Sequence, residues 1–268
     1  MLRAIWSFCL ILMLLLWGGT AQAGVLANRI ALFPRWEGKP PVSVAQGDLI
    51  YPTWMEGTWN VTSTLIDLIA PLAPEVVTPG FESNRRYLNQ PIQFQVRFIA
   101  RSPTRRALLP IAMQPSIVAD RVFNGLNIGK TYLGDRAILA VKVDPNAPNR
   151  QVTLLTGDRL LVSVVTRRGT EMPTAEQFMA TEVSQQIFRQ KTQLYFNEVE
   201  TTTAYSKLSS SPTRIQADQI TAVYLSPQDA NYFKTGDRPV ALYRYQLELV
   251  PASSTANRTN PESVAWSQ

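Results

Sequence analysis

The sequence predicts a mainly β protein, an eight-stranded antiparallel barrel with one or two short helices. Several segments alternate apolar and polar residues with a period of two, which is typical of strands with one buried face. These segments follow one another with few helical patterns between them, which favours antiparallel pairing. Eight antiparallel strands close readily into a barrel, and a barrel of that size has room for one small ligand.

The clearest strand pattern lies in residues 92–98, where four apolar side chains are separated by Gln93, Gln95 and Arg97. Gly157 and Asp158 stand between two further strand patterns and predict a hairpin turn. The eight predicted strands comprise residues 51–65, 92–98, 137–143, 151–156, 159–166, 192–204, 215–225 and 240–250.

Two segments show helical patterns. Residues 174–189 carry apolar side chains four positions apart and begin with a pair that resembles a capping box, Thr174 with Gln177. Ser116 is the expected N-cap of a shorter helix that ends near the glycines at 125 and 129.

The segment Asp67–Asn89 contains three prolines and Gly80, which disfavour a strand or a long helix. Loops of this length are uncommon and are often functional. Its apolar residues favour an ordered flap over a flexible linker.

Residues 1–23 predict a cleaved export signal. Arg3 precedes a short apolar run, and Ala21-Gln22-Ala23 fits a cleavage site before Gly24. The run is short for a membrane span, which takes about 20 residues, so an uncleaved N-terminal anchor is the less favoured alternative. The expected organisation continues with an extended lead-in over 24–50, the barrel domain over 51–250 and a disordered tail over 251–268. We expect export and no permanent membrane span after cleavage.

The composition excludes several kinds of chemistry. The chain of 268 residues has no histidine, and its one cysteine, Cys9, lies inside the predicted signal. Histidine-based catalysis, thiol catalysis and metal sites built on imidazole or thiolate are therefore excluded for the mature protein. The formal net charge of +6 suggests a basic surface, but the basic clusters are dispersed and accompany no nucleic-acid motif. We expect no nucleic-acid partner, no metal and no cofactor.

Two motifs resemble parts of enzyme active sites, but neither supports an enzymatic activity. Gly125-x-x-x-Gly129-Lys130-Thr131 resembles a phosphate-binding loop but has one residue too few between the glycines. Glu198 and Glu200 share a strand face and could act as an acid–base pair, although solvated strand acids explain them more simply. Without a catalytic motif, we expect no enzymatic activity.

Gly57-Thr58-Trp59 opens the first predicted strand and resembles the G-x-W signature of lipocalins and related calycins. The resemblance implies that Trp59 plugs the closed end of the barrel, that Gly57 allows a tight entry and that 67–89 covers the mouth.

A longer pattern, from Trp54 through Thr64 with the Ala-Pro-Leu-Ala-Pro and Thr-Pro-Gly-Phe-Glu segments after it, resembles a cyanobacterial and plastid family of unknown function. That resemblance implies the periplasm or the thylakoid lumen.

The candidate ligand-binding residues combine barrel aromatics with two arginines beside the flap: Trp54, Trp59, Phe81, Arg85, Arg86, Phe94 and Phe98. The aromatic side chains would hold an apolar body, although inward aromatics also serve as plain core. The arginines would hold an acidic end, since guanidinium groups bind carboxylates in a bidentate manner.

The sequence therefore predicts an exported, lipocalin-like protein that binds a small apolar or amphipathic molecule, such as a lipid or pigment. The alternative is a filled barrel that binds a protein partner as a lumenal or periplasmic assembly factor. That partner would contact the insertion 101–136 and an arginine-rich rim that also includes Arg167 and Arg168. A weaker alternative is an enzyme that uses carboxylates or tyrosine on a bound apolar substrate.

Overall fold

The computed structural model describes residues 24–102, 115–191 and 193–252. Three predicted segments lie wholly or partly outside these ranges: the signal 1–23, the 101–136 insertion with Arg105 and Arg106, and nearly all of the tail. None of the described helices is long and apolar enough to cross a membrane.

The fold is mainly β, a strongly curled antiparallel half-barrel of ten strands with an eleventh short strand beside it. The ten strands pair in the order β4-β3-β2-β11-β10-β9-β8-β7-β6-β5, and β1 pairs with β7. The strands are β1 (Ser43–Val44), β2 (Gly57–Ile69), β3 (Pro91–Arg101), β4 (Ser116–Ala119), β5 (Ile138–Asp144), β6 (Ala147–Leu155), β7 (Arg159–Thr174), β8 (Gln177–Gln190), β9 (Gln193–Leu208), β10 (Arg214–Leu225) and β11 (Ala241–Pro251).

Four short helices accompany the sheet: α1 (Val25–Ala31), α2 (Phe81–Asn84), α3 (Arg121–Leu133) and α4 (Tyr232–Thr235). Helix α3 packs against both β3 and β5, which lie near opposite edges of the sheet. On the same open side, the chain leaves β1 beside β7 and reaches β4, where the Tyr51 amide donates to the Ile117 carbonyl (2.8 Å). The helix and this segment therefore bridge the open side of the half-barrel.

The predicted helix over 174–189 is wrong, because Thr174 ends β7 and residues 177–190 form β8. Phe178 and Ala180 are buried on the inner face of the sheet, while Thr181 and Val183 are buried on the outer face. A strand buried on both faces loses its polar alternation, and apolar positions four apart lie on one face of a strand as well as of a helix.

The expectation for Ser116 is also wrong. Ser116 begins the short strand β4, and the helix starts later, at Arg121, with the Asp120 carboxylate accepting from the Phe123 amide (3.1 Å). The count of eight strands fails for the same reasons, since β1, β4 and β8 were not among those predicted.

Gly125 and Gly129 do not end helix α3, which continues to Leu133. They lie on the helix face that contacts β5, where a Cβ atom would come within 3.1 Å of the Val141 and Ile138 side chains. Residues four apart share a helix face, so this spacing creates a flat stripe that lets the helix approach the strand closely.

The outer face of the sheet is covered at one end by the N-terminal segment, which forms helix α1 where an extended lead-in was expected. The fully buried Glu200 carboxylate accepts from Arg29 at both oxygens (2.6 Å each), from Tyr224 (2.8 Å) and from the Trp36 indole (3.1 Å). Burial and the adjacent Glu200 carboxylate raise the pKa of Tyr224. A buried charge costs several kcal/mol unless it is paired, so this network fixes the position of the segment.

Gly129→Leu is expected to lower the free energy of unfolding by about 1–3 kcal/mol, because the new side chain has to displace Ile138. Denaturant unfolding measures the change. The control is Lys130→Leu, which adds the same side chain at an exposed neighbouring position of the helix. Equal stability of the two variants would contradict the close packing of α3 on β5.

Candidate functional site: an uncharged cavity inside the half-barrel

A cavity of about 330 Å³ lies on the concave side of the sheet, between the strands and helix α3. Its walls come from the inward faces of β2, β3, β9, β10 and β11, from β4 and from one side of the helix. The lining residues are Tyr51, Val61, Ser63, Phe94, Val96, Phe98, Ala119, Asn124, Ile128, Tyr132, Tyr205, Gln219, Thr221, Tyr245, Leu247 and Leu249. No charged side chain is among these lining residues.

One end of the cavity is closed by an aromatic cluster. The Tyr51 ring lies 4.7 Å from Phe98, 5.6 Å from Phe178 and 6.4 Å from Tyr205, measured between ring centroids. Trp59 belongs to the same core, is nearly fully buried and donates its indole N–H to the Met55 carbonyl (2.8 Å). Gly57, two residues earlier, has a φ of +122°, a conformation that favours glycine.

At the other end, the segment 70–90 that follows β2 packs on the sheet, and Leu88 forms a bridge to Leu65. Phe81 is almost completely buried against Leu65, Leu68 and Tyr243. The Tyr87 ring meets Tyr132 of helix α3 edge-on, with 6.1 Å between centroids. The flap and the helix therefore meet where the mouth of a barrel would be.

Hydroxyl and amide groups interrupt the apolar lining. Ser63 and Tyr132 both line the cavity, and the Thr203 hydroxyl donates to the Gln219 side chain (3.3 Å). Asn124 is held by the backbone of Arg97, whose amide donates to the Asn124 side chain (2.7 Å). The cavity can therefore offer hydrogen bonds to a ligand while its walls remain neutral.

Burial raises the pKa of four tyrosines that line the cavity, Tyr51, Tyr132, Tyr205 and Tyr245. The pKa of Tyr205 rises to about 12, chiefly through loss of solvent and further through the Glu182 carboxylate. The phenols therefore stay neutral, as hydrogen-bond donors, throughout the physiological range.

The structure does not bring the seven predicted ligand residues together at one site. Phe94 and Phe98 line the cavity, and Trp59 lies in the core at its closed end. Trp54 packs on the outside of that core, and its indole donates to the Ala175 carbonyl (3.1 Å). Phe81 belongs to the flap and packs against Leu65, Leu68 and Tyr243.

Arg85 and Arg86 are exposed and do not line the cavity. Arg85 pairs with Glu82 (2.7 Å) and lies over the Phe81 ring, while Arg86 lies over Tyr87. This geometry gives no support to the expectation that these arginines hold an acidic end of a ligand in the cavity.

Sequence reasoning missed the tyrosines. Tyr245, Leu247 and Leu249 alternate along β11 on the same face, and this pattern could have identified them as inward residues. Tyr132 gave no such signal, because its role depends on helix α3 lying inside the half-barrel.

Other features of the described chain fit a ligand site less well. A groove of about 450 Å³ lies on the outer face, but its charged groups are already paired, Asp218 with Arg244 (2.6 Å) and Glu248 with Arg214 (2.9 Å). The two carboxylates considered as an acid–base pair each have a cationic partner of their own: Glu198 contacts Lys39, and Glu200 binds Arg29. Within the described residues, no cluster of three or more acidic, cysteine or histidine side chains could hold a metal ion.

Residues 43–253, more than three quarters of the chain, match the model of a family described as a domain of unknown function (DUF6816). The chain belongs to this family. The match begins at β1 and includes every strand of the sheet and every residue that lines the cavity. No curated protein and no solved structure matches the chain.

The raised tyrosine pKa values predict a loss of stability in alkali. Tyrosines ionise near pH 10 in the unfolded chain but near 12 at Tyr205 in the fold, so stability is complete below about pH 10 and falls between these values. The slope is up to about 1.4 kcal/mol per pH unit for each such tyrosine. Denaturant unfolding across this range measures it, and Tyr205→Phe should reduce the slope. An unchanged slope in that variant would contradict the assignment.

Proposed function

We propose that this DUF6816 protein binds a small, uncharged, amphipathic molecule in the cavity, in the manner of a lipocalin-like carrier. The observation that carries the proposal is the combination of an interior volume of about 330 Å³ with aromatic and aliphatic walls. Small-molecule sites typically have volumes of about 300–1,000 Å³, mostly apolar walls and a few polar groups that fix orientation.

The lining indicates the chemistry of the ligand. The rings of Phe94, Phe98 and Tyr205 suit a flat or branched apolar body. The hydroxyls of Tyr132 and Thr221 and the amide of Gln219 suit one or two hydroxyl or carbonyl groups. Since no charged side chain lines the cavity, a carboxylate or phosphate would be buried there without a counter-ion, which is unfavourable. A neutral lipid or pigment fragment fits better than a fatty acid.

The lipocalin-like architecture belongs to the same proposal. The proposal is supported by Trp59 at one end of the cavity and by the flap near the other, the arrangement that the G-x-W resemblance leads us to expect. The closure of the half-barrel differs from that of a lipocalin barrel, because helix α3 takes the place of the strand pairing that would complete a barrel. Export and residence in a periplasm or thylakoid lumen remain part of the proposal, on the strength of the sequence of residues 1–23.

The assembly-factor alternative has less support from the described chain. Strand β4 and helix α3, the described part of the 101–136 insertion, serve as walls of the cavity. Arg168 is nearly buried and binds Glu182 (2.6 Å), and Arg101 contacts Asp48. Arg168 is therefore engaged within the fold, whereas the Arg101 side chain remains 53% exposed.

Titration with the neutral fluorescent probe N-phenyl-1-naphthylamine tests the proposal. The wild-type protein should bind one probe per chain, and Val96→Trp, which fills the cavity, should weaken binding at least about tenfold. The control is Gln93→Trp, which places the same indole at an exposed position of the same strand and should bind like the wild type. Ala119→Phe fills the cavity from β4 and replaces Val96→Trp if that variant unfolds.

The absence of binding by a folded wild-type protein would refute the proposal. Equal affinity of the filled and control variants would place the probe outside the cavity and refute it as well. Thermal unfolding of each variant shows whether the protein is folded.

A further inference from the structure

One buried carboxylate oxygen has no hydrogen-bond partner among the described residues, Oε2 of Glu171 on strand β7. The other oxygen of the same carboxylate, Oε1, accepts from the Leu26 amide (2.9 Å) at the start of helix α1. A buried carboxylate oxygen without a donor is unfavourable, so a missing donor is expected close to it.

The carboxylate lies directly against Gly24. A Cβ atom at residue 24 would lie only 2.0 Å from Glu171 Oε2 and 2.5 Å from its carboxyl carbon. Any side chain at this position would therefore collide with the carboxylate. Since a Cβ lies about 2.5 Å from its own backbone nitrogen, Oε2 lies within about 4.5 Å of the Gly24 nitrogen.

Gly24 is also the residue that follows the predicted cleavage site Ala21-Gln22-Ala23. Hydrolysis of the Ala23–Gly24 peptide bond by an export signal peptidase consumes one water molecule. It leaves a carboxylate on Ala23 and an amino group on Gly24, which takes up a proton. Below its usual pKa of about 7.7–8.0 this group is an ammonium with three N–H donors.

We propose that signal cleavage creates the partner of Glu171. The new α-ammonium group of Gly24 forms an ion pair with the Glu171 carboxylate and ties the start of helix α1 to the outer face of the sheet. In the precursor the same nitrogen is a neutral amide, so the ion pair exists only after processing. This inference rests on the proposed export and does not depend on the cavity.

The ion pair would work together with the Glu200 network. Arg29, five residues after Gly24, binds Glu200 at 2.6 Å, and Trp36 binds the same carboxylate. The N-terminal segment is thus held at its first residue as well as at its centre. A precursor lacks the first contact, so its N-terminal segment is expected to be held less firmly than that of the mature protein.

A thermodynamic cycle tests this inference. The two chains compared are the mature protein that begins at Gly24 and the same protein with Ala23 retained, which moves the ammonium group away by one residue. Each carries either Glu171 or Glu171→Gln. In the mature chain Glu171→Gln should lower the midpoint of thermal unfolding by about 4–8 °C, and in the extended chain by less than half as much.

Two further variants sharpen the comparison. Glu176→Gln makes the same chemical change at an exposed position near the end of β7 and should not alter the midpoint of either chain. Gly24→Ala in the mature chain should lower the midpoint as much as Glu171→Gln, because its methyl group displaces the carboxylate. Nuclear magnetic resonance of the α-amino group should give a pKa above 8 that returns to its usual range in Glu171→Gln.

Equal effects of Glu171→Gln in the mature and extended chains would overturn the inference. An intact mass of the exported protein that retains residues 1–23, or that begins at another residue, would overturn it as well. None of these results bears on ligand binding, so failure here and failure of the proposed function are distinguishable.

Discussion

The close approach of helix α3 to strand β5 is the constraint on which the interior of this protein depends. The sheet does not close by strand pairing in the described chain, because its edges, β4 and β5, are not hydrogen-bonded to each other. The helix contacts β3 on one side and β5 on the other. It can do so because Gly125 and Gly129 present no side chains to Val141 and Ile138. The cavity is the space that this helix leaves unfilled, and its shape therefore depends on that packing.

The outer face follows a different principle. There apolar packing and a charged network together hold the N-terminal segment. Trp36, with Ile30 and Phe33, packs against Ile220 and Leu242, and the buried Arg29 and Glu200 are each satisfied by several partners. A buried ion pair gives little net stability but strongly disfavours other arrangements that leave either charge unpaired. Apolar packing therefore shapes the inside, whereas on the outside apolar packing and electrostatic pairing together position the N-terminal segment.

Eight of the eleven strands in the described residues overlap strands that the sequence predicted. Residues 92–98 alternate cleanly and form β3, and Gly157-Asp158 forms the predicted hairpin turn with both residues at positive φ. Strand β8 was predicted as a helix because its apolar residues recur four positions apart, a spacing that places residues on one face of a strand as well as of a helix. Helix α3 was cut short because glycine usually marks a helix end, whereas here it serves close packing. These failures share a cause, since each residue's role depends on a partner distant in sequence.

In the candidate site, too, some residues could be predicted from a local pattern and others depend on a partner distant in sequence. Phe94 and Phe98 were identified from strand alternation alone, whereas Tyr132 and Asn124 line the cavity only because the helix lies inside the sheet. Arg85 and Arg86 were predicted as ligand residues because of their charge, but at the surface Arg85 pairs with Glu82 and Arg86 donates to Tyr87. A charged residue in a sequence indicates which groups its side chain could bind, but not where in the fold that side chain lies.

Native mass spectrometry of the protein, produced with residues 1–23 and purified gently from a host with a periplasm or thylakoid lumen, tests the central claim most directly. Organic extraction of the same sample identifies whatever the protein carries. The account predicts one small, uncharged molecule per chain that leaves on extraction. A protein that retains its apo mass even after exposure to the lipid and pigment extract of its host would contradict it.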